Sequence, residues 1–429
     1  MLEEIELKGV DKKIYKEVLD NGLEIIIIPN EKTSKKKNYY FNYGTYYGAL
    51  NNEFVPFSST KMTKFPSGIA HFLEHKMFEN EDGESTFDLF AKTGSYVNAY
   101  TSYKTTCYIV TGNKKMEENL EYLLTFVNTP YFTLENVKKE QGIILEEVNM
   151  NKDNPDYLAY ITLSKNLYKN LPYNIPVLGN EKSIMEITKE KLYTCYNTFY
   201  RPNNMFLVVG GAVDPNRVVN TVVNTLKRFK VVPSKGIKKK EYKESVKVVK
   251  EYEEIKAPIK IEKLVIGYKM TRGSFPIRNN VLLNLYLNMI ISLCFGASSL
   301  FREMTRKRHL VSKSGYYFQD LGDIITFTVE ADCINMDIYL KELDKYLTNL
   351  DVLEDDLERL KKVWIASEVI KTDYADTLVD NIVDDLINYH KIVTNYVDLI
   401  KSINITTMKE IIKTLDFSNR ALVKVIPDN

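Results

Sequence analysis

Only four histidines occur in the chain, and two stand four residues apart with a glutamate before the second, His71-Phe72-Leu73-Glu74-His75. On a helix, positions 71, 74 and 75 share one face, because residues three and four apart are neighbours. Two imidazoles on adjacent turns can bind one zinc ion through nitrogen at about 2.0–2.1 Å, leaving the carboxylate beside an open coordination position. That arrangement suits hydrolysis: zinc acidifies a water, and Glu74 as general base accepts its proton while the oxygen attacks a peptide carbonyl. The plainer reading is polar decoration of a helix; with four histidines in 429 residues, chance rarely produces this five-residue pattern.

Catalytic zinc commonly takes three protein ligands, so a third donor is expected on a nearby rigid element. In VKKEQGIILEEV, Glu140 and Glu147 lie seven residues apart, two turns along one helix face with Ile144 between them. Glu147 is the candidate ligand. Glu140 is the candidate acceptor from a ligand imidazole, which would fix its tautomer and orientation. Glu146 as ligand, or solvated carboxylates throughout, fits the spacing equally well. Manganese or cobalt would suit the same donors, with zinc the default. His309 and His390 are isolated and read as ordinary structural residues.

The elements that must position these residues follow from pattern. DNGLEIIIIPN (20–30) and NYYFNYGTYYGAL (38–50) read as strands, and Pro66-Ser67 opens a helix through GIAHFLEHKMF. A hairpin is expected over 94–111, an amphipathic helix over 114–128, and another from Leu134 to about Met150. Lysine-dense FKVVPSKGIKKKEYKESVKVVKEYE (229–253) loses periodicity and reads as a linker. The second half then repeats the order of the first: a strand at 263–270, a helix at 279–293, a hairpin, helices at 337–350 and 354–371, and a strand at 420–426. The ends of the halves even share letters, Ser183-Ile184 before FYRPNNMFLVV and Ser402-Ile403 before LDFSNRALVKV. The expectation is an α+β fold of two homologous sandwich domains, each a mostly antiparallel sheet covered by helices, duplicated and facing each other across a peptide-binding chamber. The expected ranges are 1–230 for the catalytic domain, 231–255 for the linker and 256–429 for the non-catalytic domain.

Composition narrows the partners. Fifty-eight basic and 57 acidic side chains nearly cancel, which disfavours nucleic acid or an anionic membrane. The N-terminal stretch has no apolar signal core, and nowhere do about 18 apolar residues run uninterrupted, so the expectation is a cytoplasmic protein without a membrane span. Cys107, Cys195, Cys294 and Cys333 form no CxxC pair and read as buried thiols.

HFLEH, GSYVNAYTS, EQGIILEEV, PVLGNEKSI and FYRPNNMFLVV, in that order and across nearly the whole chain, resemble the pitrilysin/insulinase family of zinc metallopeptidases, especially its mitochondrial-processing-peptidase-like members. The resemblance implies His71, His75 and Glu147 as zinc ligands, Glu74 as base and Glu140 as their support. It also implies that Asn98-Ala99 marks a strand beside the zinc to which substrate backbone is added. The 72 residues from His75 to Glu147 are slightly fewer than is usual in the family, as a trimmed loop would give.

One departure matters. Members that act alone often carry an Arg and a Tyr, seven residues apart, on the segment reading here FREMTRKRHLVSKSGYYF, where Thr305 and Ser312 fall at those positions. Neither offers a guanidinium fork or a phenol's reach. Arg306, Arg308, Tyr316 and Tyr317 lie close enough for a shifted alignment to restore the pair. The helix matching HFLEH in the second half, NNVLLNLYLNMII, has no histidine. The expectation is therefore a zinc endopeptidase acting on short or unfolded peptides. A homologous second subunit supplies Arg and Tyr in a heterodimer, with a homodimer also possible. The rival is a weakly catalytic or non-catalytic peptide-binding scaffold subunit.

Overall fold

The structure, a computed structural model, describes residues 2–30, 36–230 and 232–428. The first sheet runs β1 (Glu3–Leu7), β2 (Lys12–Val18), β3 (Glu24–Pro29), β9 (Met205–Gly211), β4 (Tyr39–Thr45), β8 (Thr106–Gly112), β7 (Tyr96–Thr101). A separate ribbon pairs β5 (Glu53–Phe54) with β6 (Thr63–Lys64). The isoleucine run of β3 is buried on both sides of this sheet. Ile25 and Ile27 enter one core and Ile26 and Ile28 another, as the two-residue period of a strand requires. The first core is closed by helices α1 (Ile69–Lys76), α2 (Thr86–Lys92), α3 (Met116–Val127) and α4 (Leu134–Lys152).

The second sheet runs β10 (Tyr252–Ala257), β14 (Arg420–Pro427), β11 (Glu262–Thr271), β13 (Ile324–Cys333), β12 (Val311–Asp320). Numbering the core strands of either unit by chain order, both sheets read first, last, second, fourth, third. In both, the first-to-last pair is parallel and the other pairs are antiparallel. The duplication expected from the letters is thus present in the topology. Each unit is a mostly antiparallel sheet covered by helices.

The compact units do not follow the contiguous ranges expected from sequence. One comprises Met1–Val148, Pro176–Glu241 and Ser367–Tyr396, and the other Asn149–Ile175, Tyr242–Ala366 and Val397–Asn429. Each unit takes a helix from the other half of the chain. Helix α5 (Pro155–Leu167) packs on the second sheet, where a Cβ at Gly267 of β11 would stand 2.5 Å from Leu167. The helix Ala375–Tyr389 covers β3 and β9 with Leu378, Val379, Ile382, Val383 and Leu386. The 231–255 linker is also shorter than expected, because β10 begins at Tyr252 and Glu244 is already buried in the second unit.

By length and composition, one stretch of the described residues, Asn280–Lys307, could cross a membrane. It is interrupted after Phe295, and its first helix, Asn280–Phe295, buries Leu283, Leu287 and Ile290 in the second core. All four cysteines are free and buried.

Candidate metal centre

Helix α1 begins where only glycine fits. Gly68 has φ 85°, and a Cβ there would stand 2.4 Å from the Leu178 carbonyl oxygen. The PVLGN segment thereby fixes the entry angle of the helix. Along α1, Ile69, Ala70, Phe72 and Leu73 pack into the first core, which leaves His71, Glu74 and His75 on the remaining face. Val137, Ile144 and Val148 of α4 enter the same core, with Glu140 buried among them. Gln141 secures α4 by donating to the carbonyls of Ile184 at 3.3 Å and Ile187 at 3.1 Å.

These anchors bring His71, His75 and Glu147 together, with one donor atom from each within 4.8 Å of the others. Nε2 of His71 and Nε2 of His75 lie 3.8 and 3.9 Å from the same Glu147 oxygen. Those separations are too long for hydrogen bonds, yet two metal bonds of about 2.0–2.2 Å can span them. Burial, together with neighbouring His75, pushes the His71 pKa down to about 3, so its ring stays a neutral lone-pair donor. The donor set therefore fits a zinc-like cation. Glu146 is exposed and outside the cluster, so of the two adjacent carboxylates the geometry selects Glu147.

Around the cluster, Nδ1 of His75 donates to Glu140 Oε1 at 2.9 Å. Burial opposes the charge on both partners, but their hydrogen bond and mutual attraction outweigh it, raising the His75 pKa and lowering that of Glu140. Glu74 is 7% exposed. Burial raises its pKa, against the pull of the Thr101 hydroxyl, which donates to Glu74 Oε2 at 2.6 Å. Sequence reasoning missed Thr101, although it lies three residues past Asn98 on the strand already singled out.

That strand, β7, is the edge of the first sheet. Asn98 is exposed, and its Oδ1 accepts the Ala99 backbone N–H at 2.9 Å. A cavity of about 870 Å³ opens beside Glu74, His75, Glu140 and Asn98. In the second unit, Thr305 is 1% exposed and its hydroxyl donates to the Arg302 carbonyl at 3.0 Å, while Ser312 is exposed. Of the four neighbours that a shifted alignment would recruit, Arg306 is exposed and the other three are engaged internally. Tyr316 shares a 2.8 Å hydrogen bond with Tyr339, Tyr317 donates to Glu330 at 2.8 Å, and Arg308 pairs with Glu342 at 2.7 Å. His390 ends its helix with φ 53° and packs on Tyr46, and His309 also has positive φ, both structural positions.

Residues 58–181 match the Insulinase (Peptidase family M16) family, and residues 186–363 match the Peptidase M16 inactive domain. A Bacillus subtilis (strain 168) protein named uncharacterized zinc protease YmfH is 38% identical over 300 residues, covering 70% of this chain and 69% of the relative. The chain belongs to the insulinase family, peptidase family M16. The fold agrees with that membership. A solved structure described as an M16-like peptidase from Alicyclobacillus acidocaldarius superposes with TM-score 0.89 at 26% identity, covering 100% of this chain and 99% of that one. The first half of the periplasmic protease PqqL from Escherichia coli superposes with TM-score 0.74 at 18% identity, covering 99% of this chain and 94% of that half. Against the complete PqqL structure the M16 chain covers 46% of the longer protein.

Proposed function

We propose that this M16 chain is a zinc-dependent endopeptidase for short or unfolded peptides. The observation that carries the reading is the convergence of His71, His75 and Glu147 with a buried glutamate one turn away on the same helix face. Bound by those three side chains, zinc would supply a Lewis acid that polarises the scissile carbonyl and acidifies a water. Glu74 would serve as the base, accepting a proton from the attacking water as its oxygen bonds to the carbonyl carbon. The same carboxyl passes the proton to the amide nitrogen as the C–N bond breaks. Thr101 holds one oxygen of Glu74, leaving the other to move the proton. Substrate would lie along β7 as an added strand, its carbonyl replacing Asn98 Oδ1 as acceptor of the Ala99 N–H.

A homologous second subunit is proposed to complete the site. Thr305 and Ser312 cannot provide the cationic fork and phenol that the family resemblance places there, and a fold neighbour is about twice this length. The same two residues favour one rival, a peptide-binding subunit without catalysis. A quenched peptide, incubated with the purified chain alone and with its co-purifying partner, separates these readings. Cleavage in either preparation that Glu74→Gln lowers by about 10²-fold or more, with zinc retained, is the expected result. Zinc-loaded protein showing no Glu74-dependent cleavage in either preparation would sink the peptidase reading and leave the scaffold.

A further inference from the structure

One residue past His75, Lys76 is fully buried. Its ammonium lies 2.5 Å from a Glu79 oxygen and 3.7 Å from Glu140 Oε2, and donates to the Asn136 carbonyl at 3.3 Å. A charged ammonium out of water is costly unless it is paired and hydrogen-bonded, so this site is built around the two carboxylates. Glu140 is therefore engaged at both oxygens by consecutive residues of α1, with Oε1 accepting from His75 and Oε2 facing Lys76.

The geometry has a consequence for the ring. A carboxylate held only at Oε1 keeps freedom to rotate about its last bond and to offer either oxygen. With Oε2 drawn toward the Lys76 charge 3.7 Å away, the orientation that keeps Oε1 on Nδ1–H of His75 is favoured. The proton is then confined to Nδ1, and the lone pair of Nε2 is directed at the point shared with Glu147, whose oxygen lies 3.9 Å from it. We propose that Lys76 is a positioning residue of the metal centre, setting the orientation and tautomer of His75 through Glu140 and thereby the affinity for a zinc-like divalent cation. This rests on the zinc reading above. The bland competitor is a purely structural lysine that ties α1 to Asn136 near the start of α4.

The test uses the full chain stripped of metal. Zinc affinity is measured by competition with a chromophoric chelator, and ligand geometry by the visible absorption bands of added Co²⁺. The variants are Lys76→Met, Lys76→Gln, Glu140→Gln and Lys76→Met/Glu140→Gln, with melting curves of the metal-free chains to identify those that fold. Lys76→Met and Glu140→Gln are each expected to weaken zinc binding by about 10- to 100-fold. The double variant should be no weaker than Glu140→Gln alone, and the Co²⁺ bands of Lys76→Met should move toward those of Glu140→Gln. Lys76→Gln keeps a donor without the charge and serves if the methionine variant does not fold. Zinc affinity within twofold of wild type in a folded Lys76 variant, additive losses in the double variant, or a lowered melting temperature with unchanged bands would each overturn the proposal. Failure of the wild-type chain to bind zinc would instead overturn the zinc reading itself.

Discussion

Glu74, Glu140 and Glu244 are the same side chain in three settings. Burial dominates at Glu74 and raises its pKa, whereas partners overcome burial at the other two. Glu244 accepts backbone N–H groups from Lys169, Asn170 and Leu171 at 3.0, 2.8 and 2.7 Å, and the Lys269 ammonium at 2.8 Å. Burial works against its ionised form, but these donors bring its pKa down to about 2. A folded-state pKa below the unfolded value means that ionised Glu244 contributes stability fully above about pH 4.5, and that the contribution is lost as pH falls toward about 2. Glu244→Gln should therefore destabilise the second unit at neutral pH by about 3 kcal/mol or more, since Lys269 loses its buried partner. Trp364 is the chain's one tryptophan and packs against the second core, so its fluorescence can follow the melt. The gap between wild type and variant should narrow between pH 4.5 and 2. A gap independent of pH would show that Glu244 is not held as an anion. At this scale the motif residues were legible because few residue types can bind zinc, and His71-x-x-Glu74-His75 carries three of the needed groups in five letters. The choice between Glu146 and Glu147 was open because adjacent helix positions differ by about 100° in direction, and only packing decides which turns inward. Glu244 gave no signal, three of its four donors being backbone groups more than 70 residues away.

Among elements, strands and helices were readable from their periods, but their partners were not. Strand β10, YEEIKA, looks like charged linker because only part of it is buried, and its parallel pairing with β14 joins residues far apart in sequence. Helices α5 and Ala375–Tyr389 have apolar faces, yet a period does not say which sheet a face covers. The close approach of α5 to β11 gives a direct check. Gly267→Ala places a methyl group against Leu167, and overpacking of this kind costs about 1–3 kcal/mol. Leu167→Ala in the same chain makes room, so the double variant should be more stable than the sum of the two single losses predicts. Strict additivity in urea melts followed at Trp364 would contradict the contact.

For the whole molecule, duplication explains both what the chain contains and what it lacks. Two sheets share one strand order, but only the first unit carries histidines on its α1 helix; the corresponding helix of the second, Asn280–Phe295, is filled with leucine, isoleucine and asparagine. On the proposed reading, this chain would hold the metal-binding half of a hydrolytic site and the partner the clamp. All of this depends on a metal held by three particular side chains, which is measured most directly as zinc content per chain after dialysis against trace zinc. One zinc per chain is expected for wild type and for Glu146→Ala, and essentially none for Glu147→Ala. Zinc retained by folded Glu147→Ala, or lost from folded Glu146→Ala, would contradict the centre described.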